Sequence, residues 1–124
     1  EDTFTAAQFA GAAVDNVADE AAWPYFEITG PITSPTIGLG TEAVVLPAIS
    51  AGQTWKIDTD PNHFRITDHL GADRTFWGGV ELPGRWYVKA PARTLGIPLN
   101  ISGTGTSGAT LVKVVLPQMY QAAL

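Results

Sequence analysis

Short runs in which apolar and polar residues alternate constrain this chain more than any other feature. Alternation with a period of two is the pattern of a β-strand that has one buried face. Turn signals rich in glycine and proline separate the runs at intervals of roughly 8–12 residues, which is typical of all-β sandwiches and barrels. The chain is therefore predicted to be an all-β protein. The clearest run covers residues 94–101, where every second residue is large and apolar: Leu95, Ile97, Leu99 and Ile101.

The same alternation predicts how the strands pack and which residues fill the core. With one apolar face per strand, two antiparallel sheets packed face to face are the simplest arrangement. The spacing of the turn signals predicts roughly eight to ten strands. We expect a single antiparallel β-sandwich domain over residues 1–124. Its predicted core consists of Phe26, Ile28, Trp55, Ile57, Phe64, Ile66, Ile97, Leu99 and Val114.

Some segments compete with this all-strand interpretation. Residues 6–13 and 15–22 are alanine-rich, and together with residues 118–124 they are alternative helical segments. Within the second of them, residues 15–20 are predicted to form a loop or a short helical turn between the first two strands. The glycines of residues 38–40 predict a turn, and the glycine-rich residues 103–108 predict a hairpin tip before a late strand.

The composition excludes several classes of protein. The chain has 124 residues and no cysteine, so it is long enough to bury a core without disulfides. Its net charge is −5 and its seven basic residues are scattered, whereas phosphate contacts need clustered Lys and Arg. No apolar run approaches the roughly 20 residues of a membrane span. We therefore expect neither a nucleic-acid nor a membrane partner, and the start at Glu1 predicts a cut-out domain or a processed product.

Acidic and histidine residues are the first candidates for chemistry. Oxygen ligands of this kind suit Ca²⁺. Asp and Asn also hydrogen-bond their own backbone in turns, and the surrounding Pro and Gly residues are typical of turns. The turn interpretation is favoured, and no metal is predicted. The cluster consists of Asp58, Asp60, His63, Asp68, His69 and Asp73.

Catalytic arrangements are the next alternative. Glu27, Glu42 and Glu81 are available for a glycosidase pair, which needs two carboxylates at a fixed separation across a cleft. In a small sandwich any two acids can be imagined to face each other, so their presence does not indicate such a pair. The serines lie in turn contexts and no nucleophile-elbow motif is present. The chain is predicted not to be an enzyme, with no catalytic residue and no cofactor.

Aromatic residues give a candidate binding site. Trp77 lies at a predicted strand end beside two glycines, and Tyr87 lies on the polar side of its strand. Exposed aromatic rings beside polar groups are how β-sandwiches hold sugars. Trp77 and Tyr87, with polar help from Asp73 and Arg74, are therefore the candidate carbohydrate-binding residues. The alternative is that these rings pack against a loop or a neighbouring subunit.

A succession of short motifs extends over most of the chain. An acidic loop leads into residues 22–31, with Ala-Trp-Pro at one end and Ile-Thr-Gly-Pro at the other. Residues 51–61 follow, with Ala-Gly-Gln-Thr before Trp-Lys-Ile-Asp, and the glycine-rich residues 103–108 precede a last strand and Tyr120. In order and spacing, residues 15–120 resemble the C-terminal domain of the distal tail proteins (minor tail or tail-tip proteins) of long-tailed phages, the siphophages.

This resemblance implies a fold, a function and partners. The family domain is a galectin-like or jelly-roll sandwich, similar to carbohydrate-binding modules, and hangs from a ring-forming domain that this 124-residue chain has no room for. It implies a structural component of the tail tip or baseplate that contributes to host-surface glycan attachment. The implied location is the virion tail tip, outside the host cell on contact. Its implied partners are other tail proteins, host cell-wall polysaccharide and, in a full-length protein, further copies of itself. The alternative is a free-standing carbohydrate-binding module.

Overall fold

The computed structural model describes residues 2–17, 22–39, 42–59, 65–72, 90 and 93–116. Within these ranges the chain forms nine β-strands and one short 3-10 helix, Ala6–Gln8. The strands are β1 (Asp2–Thr5), β2 (Ala13–Asn16), β3 (Tyr25–Thr29), β4 (Thr33–Leu39), β5 (Glu42–Val45), β6 (Thr54–Asp58), β7 (Arg65–Thr67), β8 (Thr94–Thr104) and β9 (Leu111–Val115).

The strands form two antiparallel sheets. One sheet has five strands in the order β1-β9-β3-β6-β7, and the other has four in the order β2-β8-β4-β5. Neighbouring strands in these sheets are antiparallel throughout. The apolar side chains of both sheets belong to one buried cluster, so the sheets are packed together. The predicted all-β antiparallel sandwich is confirmed.

The core is filled by the residues that the alternation selects. In the five-stranded sheet, Phe26 and Ile28 of β3 are fully buried between Trp55 and Ile57 of β6 and Val112 and Val114 of β9. Phe64 lies outside the described residues. Burial of such side chains contributes roughly 1.5–3 kcal/mol each before the entropy of ordering them is subtracted. The predicted core residues that the structure buries are Phe26, Ile28, Trp55, Ile57, Ile66, Ile97, Leu99 and Val114.

Several predictions of local structure are wrong. The first alanine-rich segment forms only the single turn of Ala6–Gln8, and residues 15 and 16 belong to β2 rather than to a loop. Strand β2 forms because Val14 and Asn16 are buried while its backbone pairs with β8, and pairing with a neighbouring strand overrides local propensity.

In the part of the chain that the structure describes, no helix is long and apolar enough to cross a membrane.

Leu95 departs from the predicted alternation. Its side chain is 69% exposed, whereas Ile97, Leu99 and Ile101 are buried. The register between β2 and β8 shifts by one residue between Val14 and Asn16, so two residues of β8 lie opposite Asp15. Gly96 has a φ of +66° at this point and its amide donates to Asp15 Oδ1 at 2.7 Å. This is a β-bulge, and it turns Leu95 to the opposite face.

The connections between strands correct two further predictions. Gly38 and Leu39 lie inside β4, where Gly38 pairs with Ala43 and Asn100, so they do not form a turn. Residues 105–110 join β8 of the four-stranded sheet to β9 of the five-stranded sheet, so the glycine-rich segment is a crossing between sheets rather than a hairpin tip.

Candidate functional site

The outer face of the five-stranded sheet carries charged and hydroxyl-bearing residues from all five of its strands. Because Phe26, Trp55 and Val112 point into the core, the alternate residues of the same strands point to solvent. The backbone register aligns these outward residues in three rows that cross the sheet. We call this surface the outer face, and two pockets adjoin it.

The middle row is charged. Glu27 of β3 lies directly between Lys113 of β9 and Lys56 of β6 in the backbone register. Its carboxylate lies 3.7 Å from Lys113 Nζ and 4.0 Å from Lys56 Nζ. The three side chains are 26%, 36% and 53% exposed in the order Glu27, Lys113, Lys56, so each pair contributes only about 0–1 kcal/mol to folding. We call these residues the charged row.

The lower row brings an aromatic ring beside carboxylates. Tyr25 pairs with Asp58 and Val115 across the backbone, and Asp58 pairs with Arg65. The Tyr25 hydroxyl donates a hydrogen bond to Glu27 Oε1 at 3.4 Å. Desolvation raises the pKa of Tyr25 above its usual value near 10, and the negative charges of Glu27 and Asp58 raise it further. Tyr25 is therefore held as a neutral hydrogen-bond donor on this face.

The upper row is uncharged. It consists of Thr5, Leu111, Thr29 and Thr54, one residue from each of four adjacent strands. The hydroxyls of Thr29 and Thr54 are hydrogen-bonded at 2.9 Å. Thr5 at the free edge is exposed, while the other three are half-buried. These hydroxyls and the aliphatic Leu111 present both polar and apolar surface in one line, which we call the upper row.

A polar pocket adjoins one end of the upper row. It has a volume of about 460 Å³, and we call it the Gln53 pocket. The Gln53 Nε2 and His69 Nε2 atoms lie 3.2 Å apart on its wall. The Asp68 carboxylate faces its own turn, where Oδ1 accepts from the amides of Leu70 and Ala72. The pocket is lined by Gly52, Gln53, Thr54, Lys56, Thr67, Asp68, His69 and Gly71.

A second pocket adjoins the opposite end of the upper row. It has a volume of about 430 Å³ and lies between the 3-10 helix and the crossing of residues 105–110. Its walls are the side chains of Thr5, Ala7, Thr106 and Ser107 together with Gly108. We call it the Ser107 pocket. Thr5 belongs to this pocket and to the upper row, as Thr54 does for the Gln53 pocket.

Within the acidic and histidine cluster, Asp68 is a turn residue, whereas Asp58 lies in strand β6. Asp68 accepts the amides of its own loop, which is the favoured turn interpretation. Among the described residues, no group of three or more His, Cys, Asp or Glu side chains is placed to hold a metal ion. Asp60, His63 and Asp73 lie outside these ranges.

The structure does not test the aromatic site predicted from the sequence. Trp77, Tyr87, Asp73 and Arg74 all lie outside the described residues, and so does Glu81. What the sequence-based reasoning missed is the upper row and its pockets. The available signal was a threonine at an outward position of β1, β3 and β6, at Thr5, Thr29 and Thr54, but their adjacency follows only from the strand order.

Comparisons of the chain with protein-family models, with curated proteins and with solved structures find no match. The fold and the site therefore define the class directly. The described chain is a two-sheet antiparallel β-sandwich with a polar outer face on its five-stranded sheet.

Proposed function

We propose that this chain is a non-catalytic module of a long-tailed phage tail tip or baseplate, which contacts neighbouring tail proteins and contributes to host-surface glycan attachment. A two-sheet sandwich is the fold that the motif succession implies for such a domain. The proposal places the domain at the virion tail tip, with other tail proteins and host cell-wall polysaccharide as its partners. In a full-length protein it is accompanied by further copies of itself.

The charged row is the observation that carries the assembly part of this proposal. Covering a charged surface with another protein costs free energy when a buried charge is left without an opposite charge. Glu27 already lies between Lys56 and Lys113, so a subunit can cover the middle of the outer face without stranding that carboxylate.

Labelling of intact particles tests the assembly proposal. Gold-conjugated antibody against the domain should mark the distal end of the tail in electron micrographs of phage particles. The variant Glu27→Lys should reduce incorporation, because it places three positive charges in one row, while Asp15→Asn on the opposite sheet should be incorporated normally. Absence of label from purified particles would contradict the proposal.

The alternative is a free-standing carbohydrate-binding module. The Gln53 pocket favours it, because hydroxyl, amide and imidazole groups offer both donors and acceptors to a polyhydroxylated ligand. Purified domain should then be retained on host-type cell-wall polysaccharide and be absent from phage particles. The variant Trp77→Ala tests the aromatic site separately, and loss of retention in that variant would place the contact at Trp77.

A further inference from the structure

We propose that the upper row and the two pockets at its ends form one extended site for a single linear, neutral polyhydroxylated chain that runs across the strands. The inference rests on the glycan-attachment part of the proposed function and specifies where and how that contact is made. Each pocket shares one threonine with the row, Thr54 at one end and Thr5 at the other.

The geometry suits an elongated ligand. The upper row takes one residue from each of four strands that are neighbours in the sheet, and the backbone register places these residues directly opposite one another: Thr5, Leu111, Thr29 and Thr54. Adjacent strands lie about 4.8 Å apart, so the three steps from Thr5 to Thr54 cover roughly 14 Å. A single small molecule would fill one pocket only, whereas a chain of several sugar units would reach both pockets.

The chemistry of the lining favours a neutral chain over an anionic one. The row supplies three hydroxyls, and the pockets add the Gln53 amide, the His69 ring and the hydroxyls of Thr106 and Ser107. Hydroxyl groups donate and accept, as the ligand's own hydroxyls do. The one lysine of the lining, Lys56, already lies 4.0 Å from the Glu27 carboxylate, and an anion would lie close to that negative charge.

Leu111 gives the row an apolar surface at its middle. Its side chain is half-buried between the hydroxyls of Thr5 and Thr29. Sugar rings present apolar C–H surface as well as hydroxyls, and ligand sites combine apolar contact with a few placed polar groups. Leu111 therefore provides the contact for a ring whose hydroxyls are held on either side.

The test uses fragments of host-type cell-wall polysaccharide, separated by ion exchange into neutral and anionic fractions and then by size. Calorimetric titration of the whole domain should show affinity for neutral fragments that rises with length and levels off once both pockets are reached. Thr5→Val and Thr54→Val should each weaken binding of long neutral fragments by roughly three- to tenfold, the effect of one hydrogen bond. Valine keeps the shape and strand propensity of threonine, so the fold is retained.

Two matched variants serve as controls. Thr3→Val removes an exposed hydroxyl from the outer face of the same edge strand, one row away, and Thr36→Val removes a half-buried hydroxyl from the other sheet. Both should bind like the unmodified domain. Thr5→Val should also leave the affinity for the shortest fragments unchanged if these occupy the Gln53 pocket alone.

The outcomes separate this inference from the proposed function. Retention on polysaccharide with no dependence on fragment length, or with no effect of Thr5→Val and Thr54→Val, would overturn the extended site and leave glycan attachment standing. Binding of anionic fragments alone would overturn it as well. Failure to bind any fragment by a domain that is labelled at the tail tip would overturn it and leave only the structural role.

Discussion

The two sheets of the sandwich differ in regularity. In the five-stranded sheet, every described strand pair keeps one register from end to end. The four-stranded sheet has two register shifts, one at the bulge of Gly96 and one between Thr33 and Thr36, where Ser34 has a φ of +49°. The regular sheet has the charged row and the upper row, because only an unshifted register aligns side chains across several strands.

The outward residues of the two sheets also differ. On the four-stranded sheet, Gly38 pairs with Asn100 and Ala43, and the outward residues around them are small or uncharged. On the five-stranded sheet, the corresponding positions hold Glu27, Lys56 and other polar groups. Both sheets show similar apolar alternation in the sequence, so alternation reveals the core without revealing which outer face carries the charged row.

The largest expected effect is on the free energy of unfolding when a core residue is truncated. We compare a core residue of the five-stranded sheet with a residue of the four-stranded sheet that the alternation also assigns to the core. Phe26→Ala should lower the free energy of unfolding by about 3–5 kcal/mol, because it leaves a cavity in the core. Leu95→Ala should change it by less than about 0.5 kcal/mol, because that side chain is mostly exposed. Urea denaturation measures both, and equal losses would contradict the bulge at Gly96.

The bulge itself is expected to tolerate only glycine well. Gly96→Ala should cost about 1–2 kcal/mol, because alanine is disfavoured in the left-handed region even though no atom lies within 4 Å of the new methyl group. Gly108→Ala is the matched control, since its surroundings are equally open and its φ lies outside that region. Thermal unfolding compares the two, and a neutral Gly96→Ala would mean that the register shift is not fixed by this residue.

The charged row should contribute less to the free energy of unfolding than the core or the bulge. Glu27→Gln should reduce the free energy of unfolding by about 0.5–1 kcal/mol at low salt, because the two lysines then face each other without a carboxylate between them. The loss should shrink as salt screens the charges. A loss that is the same at low and high salt would show that packing, rather than charge, is responsible.

The smallest effect concerns alkaline pH. The pKa of Tyr25 is raised in the folded state. The contribution of this side chain to the free energy of unfolding is therefore complete below its unfolded-state pKa near 10, and it is lost as the pH rises through its folded-state pKa. Tyr25→Phe should therefore show a shallower fall in the free energy of unfolding above pH 10 than the unmodified domain. Parallel curves for the two proteins over that pH range would contradict this linkage.

Much of the fold could be predicted from the sequence, because alternation acts locally. Phe26, Ile28 and Ile57 point inward whichever strands lie beside them. Leu95 could not be placed in this way. The alternation assigns it to the buried face, but the extra residue of the bulge turns its side chain to the exposed face. Strand β2 was missed because its pairing with β8 joins residues more than 75 positions apart in the sequence, such as Ala13 and Pro98.

The candidate site was less predictable than the core. Thr5, Thr29 and Thr54 are neighbours only because the sheet order is β1-β9-β3-β6, which differs from the order of the chain. No local pattern contains that order. The sequence instead predicted a site at Trp77 and Tyr87, because an aromatic residue beside polar residues can be recognised without knowing which residues lie near it in space.

One buried hydroxyl gives the sandwich a mechanical property. Thr110 donates to the carbonyl of Pro31 at 2.6 Å and accepts from the Ser107 amide at 3.0 Å. Pro31 follows β3 and Thr110 precedes β9, so this side chain ties together the two chain segments that cross between the sheets at one end. A load that drags one sheet past the other therefore acts on this hydrogen bond as well as on the core, close to the end of the sheet that the upper row occupies.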